Sequence, residues 1–219
     1  SANGSVALEP QSEPVLSLIK QDFLVPRREG LPPLSRYAYV EMDQDGRRTV
    51  GYTEASRGCK HLCRHCPVVP VYGGRFFVVS RGVVIEDISQ QVAGGAEHIT
   101  FGDPDFFNGV GHAIRLVEEL HGQFPDLTYD VTIKVEHLLK YAHHLETLAR
   151  TGCLFVTTAV ESVDDWVLTI LDKGHTRDDF VRLVGLARRA NLTLSPTFIP
   201  FLPWISREGY LDLLRLLAG

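Results

Sequence analysis

From about Val83 onward, long amphipathic runs alternate with short apolar ones, and this alternation restricts the folds open to the chain more than any other feature. A helix is expected over about Val83–Val92, stopped by Gly94-Gly95. A strand follows at His98–Phe101, then a helix over Asn108–Phe124 with Ile114, Val117 and Leu120 on one face. The pattern repeats as strand Leu127–Val135, helix Glu136–Arg150 closed by Gly152, and buried strand Cys153–Val160. Helices near Val163–Leu171 and Arg177–Ala190, strand Leu192–Ile199 and helix Arg207–Leu217 complete it. Strands joined by helical crossovers pair in parallel with the helices outside. The spacing of about thirty residues is that of a βα barrel, but only about five units are present where a closed barrel needs eight. The expected fold is therefore α/β, a partial TIM-like barrel broken off after the fifth βα unit, with a further segment expected beyond Gly219.

Upstream the texture differs. Residues 1–35 are rich in Pro and Ser and read as an N-terminal lead-in, with one short helix candidate near Val15–Leu24. Residues 36–219 read as the core domain. It opens with strands Tyr37–Met42 and Thr49–Thr53 around a hairpin turn at Asp43-Gln-Asp-Gly46. The start, Ser1-Ala2-Asn3-Gly4, looks like a tag scar and not a secretory signal. With 22 basic against 27 acidic residues, a net charge of −5 and no basic run, nucleic acid is not the expected partner. No apolar stretch approaches the length of a membrane span, so a soluble, cytoplasmic enzyme is expected.

Between the hairpin and the barrel lies Arg57-Gly-Cys59-Lys-His-Leu-Cys63-Arg-His-Cys66-Pro67, which holds three of the four cysteines in a C-x3-C-x2-C spacing. Three close cysteines cannot all pair as disulfides, and Cys153, far away in sequence, reads as a small buried hydrophobe. Three thiolates closing on one point suit a cubane iron–sulfur cluster and leave its fourth iron open to a substrate or cosubstrate. Zinc is the competing choice, with Cys59, Cys63 and Cys66 completed by His61 or His65. The spacing favours iron–sulfur, because no second Cys/His ligand pair follows at the interval usual in zinc ribbons and fingers.

Ligands of βα folds bind at the C-terminal strand ends. There the chain places, in turn, the cysteine loop, Gly102-Asp103-Pro104-Asp105, Lys134 and Glu136, Glu161-Ser162, and Pro200. Each also has an ordinary explanation. Asp103 or Asp105 is the type that caps a following helix, and Ser162-x-x-Asp165 matches a capping box. Lys134 and Lys173 alone would be solvated, and the scattered histidines, His143-His144 included, would be surface or satisfied core residues. It is their recurrence at one end of successive strands that suggests a site.

These segments resemble the radical S-adenosylmethionine (SAM) superfamily, roughly from Thr49 to the C-terminus. The resemblance rests on the cysteine spacing, on Val160-Glu161-Ser162 with downstream Lys173-Gly-His, and on Thr197-Phe-Ile-Pro-Phe-Leu-Pro203. It implies a partial (βα)6-type barrel, a [4Fe–4S] cluster on Cys59, Cys63 and Cys66, and SAM chelated at the open iron. It further implies that Gly102-Asp103 takes the place of the family's Gly-Gly-Glu acceptor for the SAM ammonium. Glu161 and Ser162 would reach the ribose or the methionine end, and Lys134 and Lys173 would pair with the carboxylate. His65 stands where an aromatic residue beside adenine is common, and Phe201 replaces a fifth-strand glycine.

Within the superfamily, Cys59–Tyr72, His98–Asn108 and Asp130–His137 resemble a subgroup with a cysteine-rich C-terminal tail that includes the arsinothricin-biosynthesis enzyme. That resemblance implies transfer of the 3-amino-3-carboxypropyl group of SAM to trivalent arsenic, with arsenite as substrate and flavodoxin or ferredoxin as reductant. Ending at Gly219, the chain lacks such a tail, so the arsenic assignment rests on the body alone. The alternatives are a 5′-deoxyadenosyl-radical enzyme acting on an organic substrate and, more distantly, a non-catalytic zinc-binding domain.

Overall fold

The computed structural model describes residues 18, 19, 21–42 and 46–218. Strands β1 (Tyr39–Met42) and β2 (Gly46–Thr53) form an antiparallel hairpin with Met42 opposite Gly46. The expected turn at 43–45 lies outside the described residues, as does part of the helix candidate near Val15–Leu24, whose described part is not helical. A small antiparallel pair follows, β3 (Ser56–Gly58) and β4 (Phe76–Val78), bracketing the cysteine loop and a short helix α1 (Val68–Tyr72).

The βα array then runs α2 (Arg81–Ala93), β5 (His98–Phe101), α3 (Val110–Gln123), β6 (Thr128–Thr132), α4 (Val135–Lys140), α5 (Leu145–Arg150) and β7 (Cys153–Glu161). It ends with α6 (Asp165–Leu171), α7 (Arg177–Arg189), β8 (Thr193–Phe198) and α8 (Arg207–Ala218). The main sheet has the order β1-β2-β5-β6-β7-β8, and every pair after the hairpin is parallel. Five parallel strands, each followed by at least one helix, make the expected partial barrel.

Alternation along the strands separates two faces. Ile99, Phe101, Tyr129, Val131, Val156 and Val160 enter the core with helical residues such as Ile88, Leu116, Val117 and Leu183. The opposite face carries Thr100, Asp130 and Thr132, and its strand ends form the site. The lead-in is fastened to the array by Arg28, whose guanidinium donates to both carboxylate oxygens of buried Asp87 at 2.7 and 2.9 Å. Among the described residues no helix is long and apolar enough to cross a membrane.

Three expected elements differ. The helix over Glu136–Arg150 is two helices joined by a 3-10 turn at Ala142–His144. Tyr141 and His144 leave the helical path to meet the Phe107 ring edge-on, at 6.0 and 6.5 Å between centroids. The helix over Asn108–Phe124 begins as a 3-10 turn at Phe106–Gly109. Asp164, and not Ser162, caps α6, accepting from the backbone N–H groups of Trp166 and Val167.

Candidate active site

The cysteine loop is held at its base and from the side. Gly58 lies in the left-handed region at φ +85°, where a Cβ would meet the Arg75 carbonyl oxygen at 2.5 Å, so only glycine can precede Cys59. Asn108, from the turn after β5, donates through Nδ2 to the Gly58 carbonyl at 3.1 Å and accepts through Oδ1 from the Lys60 N–H at 3.2 Å. It thus grips one peptide group on each side of Cys59. On the far side the Arg64 N–H donates to the Leu171 carbonyl at the end of α6 at 3.1 Å.

Cys59, Cys63 and Cys66 carry free thiols and line one pocket with His61, His65, Pro104, Asp105, Thr132, Lys134, Ala159, Glu161 and Lys173. Burial pushes the Cys59 thiol up, and Asp105, Cys63 and Cys66 add to the effect. A cationic cluster or metal is what turns such a crowded set of thiols into thiolates.

Opposite the thiols lies Glu161. Its Oε1 accepts from Lys173 Nζ at 3.2 Å and meets His65 Nε2 at 3.0 Å. Both Glu161 and Lys173 are buried, Lys173 only 3% exposed, so this lysine is not the solvated side chain that its position taken alone would suggest. Glu161 also holds a left-handed backbone, φ +69°, where the β7–β8 register shifts. A non-glycine residue there stores about 1–2 kcal/mol of strain, and the conformation turns its side chain into the pocket. Lys134 Nζ donates to Glu136 Oε2 at 3.1 Å and to His61 Nδ1 at 3.2 Å.

The expected set is therefore brought together in part: Cys59, Cys63, Cys66, His65, Lys134, Glu161 and Lys173 share the pocket. Gly102 lies under Tyr52, and a Cβ there would run into the Tyr52 hydroxyl. Asp103 is buried behind the pocket, accepting from the Ala55 N–H at 2.8 Å and the Ser56 hydroxyl at 2.6 Å. Burial pushes its carboxyl up to about 6 against those two hydrogen bonds. Ser162 is buried too, its hydroxyl accepting from the Asp164 N–H at 3.1 Å. Phe201 is 79% exposed and stacks on Tyr210, not on the cysteine pocket. Asp105, Asn108, Glu136 and His137 were missed as site residues, and His61 entered only as a fourth ligand for zinc. Only Asp105 and Glu136 carried a signal, their position at strand ends.

The zinc choice needs His61 or His65 as fourth ligand. Here His65 Nε2 meets Glu161 and His61 Nε2 faces Asp105 Oδ2 at 3.3 Å, and among the described residues no group of thiols with either histidine is close enough to share one ion. Three thiols with an open fourth position fit a [4Fe–4S] cluster. The sequence pattern that defines the radical SAM superfamily matches residues 53–217. The chain belongs to the radical SAM superfamily. The cofactors of such an enzyme are a [4Fe–4S] cluster and SAM.

Solved structures with the same fold include the radical SAM methyltransferase TsrM from Kitasatospora setae with cobalamin and a [4Fe–4S] cluster bound. It superimposes with a TM-score of 0.66 and 22% identity, covering 78% of this chain and 33% of that one. The cobalamin-dependent SAM radical enzyme OxsB with aqua-cobalamin bound gives 0.65 and 18% over 77% and 26%. Methylornithine synthase (PylB) gives 0.58 and 16% over 77% and 49%. The chain thus spans between about a quarter and a half of the length of these proteins, and the likeness at these identities is one of fold.

Proposed function

We propose that this radical SAM enzyme moves the 3-amino-3-carboxypropyl group of SAM onto trivalent arsenic, with arsenite as the acceptor. The convergence of Cys59, Cys63 and Cys66 with Glu161, Lys173, Lys134 and His65 in one pocket carries the SAM part of this reading. The segments Cys59–Tyr72, His98–Asn108 and Asp130–His137 support the arsenic part. When bound, the cluster supplies the electron that opens a carbon–sulfur bond of the sulfonium, drawn from a reductant such as flavodoxin or ferredoxin. The net transfer is redox-neutral: the electron spent on the carbon–sulfur bond is given back once the As–C bond forms, so the reductant only primes the enzyme. The arsenic lone pair ends as that bond, and methylthioadenosine leaves with the sulfonium bonding pair.

In this reading the protein's own groups bind and orient. Lys173, with one N–H committed to Glu161, keeps two for the methionine carboxylate, and Lys134 supplies a second cation. Glu161 accepts from the ribose hydroxyls, with Ser162 fixing the turn behind it. His65 offers a ring beside the third cysteine for adenine. Asp103 enters as the support of the Ala55–Ser56 turn and not as the ammonium acceptor, because each of its oxygens already takes a hydrogen bond in a buried position.

The deciding experiment is anaerobic incubation of the reconstituted full chain with dithionite, SAM and arsenite, with products read by mass spectrometry. Methylthioadenosine together with an arsenic–carbon adduct is expected. 5′-Deoxyadenosine in place of methylthioadenosine overturns the transfer and leaves a 5′-deoxyadenosyl-radical enzyme with an organic substrate. Absence of both nucleosides with cluster-loaded protein overturns SAM cleavage itself.

A further inference from the structure

Beside the cysteines, the half-buried His61 and the buried Asp105 and His137 face one another. His137 Nδ1 lies 2.7 Å from Asp105 Oδ2, and His61 Nε2 lies 3.3 Å from the same oxygen. All three atoms are within 4.8 Å of one another, and the two imidazole rings are 4.5 Å apart and tilted by 56°. At such distances two N–H···O hydrogen bonds to Asp105 would be the ordinary outcome, yet the ring N–H directions miss the oxygen. His61 Nε2, Asp105 Oδ2 and His137 Nδ1 are buried without an aimed hydrogen-bond partner. Orphaned polar atoms are rare in native interiors and call for a cause. Ligands about 2.1 Å from one ion, at octahedral to tetrahedral angles, lie roughly 3.0–3.4 Å apart; the 3.3 Å separation falls inside that range and the 2.7 Å one just below it.

We propose that His61, Asp105 and His137 form a divalent-metal site separate from the cysteine-held cluster. Two imidazoles and one carboxylate suit borderline cations such as Mn(II), Fe(II) or Zn(II) and leave further positions open. The carboxylate is already oriented, because Asp105 Oδ1 accepts from the Phe107 N–H at 3.0 Å. The three ligands come from the cysteine loop, the turn after β5 and helix α4, so one ion ties the loop to the barrel wall. The ion also sets the His61 tautomer. A metal on Nε2 puts the ring proton on Nδ1, which faces Lys134 Nζ at 3.2 Å and Glu136 Oε2 at 3.8 Å. Filling the site therefore moves the outer hydrogen bond of His61 from Lys134 to the half-exposed Glu136, and releases Lys134 toward the pocket it lines.

Mn(II) is the probe of choice, because it avoids thiolates. The cluster-loaded full chain is titrated with Mn(II), and free ion is followed by electron paramagnetic resonance. The expected result is one Mn(II) per chain with nitrogen couplings from two imidazoles, and an affinity at least about tenfold weaker in Asp105→Asn and in His137→Gln. Iron content and cluster absorption serve as the check that each variant is folded. The wild-type nitrogen couplings decide the matter without a variant. Their absence, uptake unchanged in both variants, or uptake lost in Cys59→Ser but retained in His137→Gln overturns the proposal.

Discussion

The Glu161–Lys173 pair is a sharp test of the site as drawn. Lys173→Met removes a cation whose side chain is 4% exposed and leaves Glu161, 10% exposed, beside it. Removing one partner of a buried pair costs about 3–5 kcal/mol, because the remaining charge is buried without compensation. Glu161 Oε1 retains His65 Nε2 at 3.0 Å, which places the expected loss near the lower end, about 3 kcal/mol. For a chain of this size that lowers the melting temperature by roughly 6–12 °C. Glu161→Gln, which strands the buried ammonium, costs a similar amount. The double variant removes both charges and keeps the volume, so it falls only about 0–1 kcal/mol below wild type. The two changes are then coupled by several kcal/mol, far outside the additivity of independent sites. Urea unfolding of wild type, both single variants and the double variant in one buffer measures the cycle. A loss under about 1 kcal/mol in Lys173→Met, or a double variant equal to the sum of the singles, would refute the buried pair.

Other outcomes follow from neighbouring contacts. Asn108→Ala breaks both bonds that flank Cys59, a loosening of about 2 kcal/mol, and lowers the iron retained per chain after reconstitution. Asn108→Asp lowers it further, since an oxygen would then face the Gly58 carbonyl. His175, with both ring nitrogens buried and unpartnered, has its pKa lowered to about 4 by burial and by Lys173, below the unfolded value of about 6.5. The folded state therefore binds fewer protons between those values. This stability is complete above pH 6.5 and lost as pH falls toward 4, by about 1 kcal/mol at pH 5.5, and His175→Gln should flatten the dependence of urea midpoints on pH. Gly102→Ala drives a methyl into Tyr52 and costs about 1–3 kcal/mol, a loss that thermal melts should show relieved in the Tyr52→Ala background.

The barrel was legible where one element has one cause. His98–Phe101 is a strand bounded by polar residues and glycine, and the structure gives the same four residues. Helix Arg207–Ala218 likewise follows its apolar spacing. Legibility fails where a distant contact decides. Leu138, Leu145 and Leu148 keep a helical rhythm and are all buried, so nothing local marks the break between α4 and α5. The break exists because the Phe107 ring, some thirty residues upstream, draws Tyr141 and His144 onto it. Strands β3 and β4, three residues each, are too short to show an alternating pattern.

The site divides along the same line. Cysteine spacing is local, and it marked Cys59, Cys63 and Cys66, which the structure gathers in one pocket. Strand-end position is half local: it put Asp103 and Glu161 on the correct rim without settling which way either side chain turns. Asp103 turns behind the rim to Ala55 and Ser56, whereas Glu161 turns into the pocket through a left-handed backbone that no pattern in Val160-Glu161-Ser162 announces. Lys173 entered only through the resemblance, for a related reason. A lysine after an apolar helix looks solvated until left-handed Asp172, φ +54°, reverses the chain and delivers its ammonium to Glu161. The rim therefore depends on two non-glycine residues, Glu161 and Asp172, held in a conformation that costs each of them energy. Such strain persists only where the surroundings over-determine it. Here the bonds from Lys173 and His65 to a single carboxylate oxygen are those surroundings, so the pair that binds the pocket together also keeps Glu161 aimed into it.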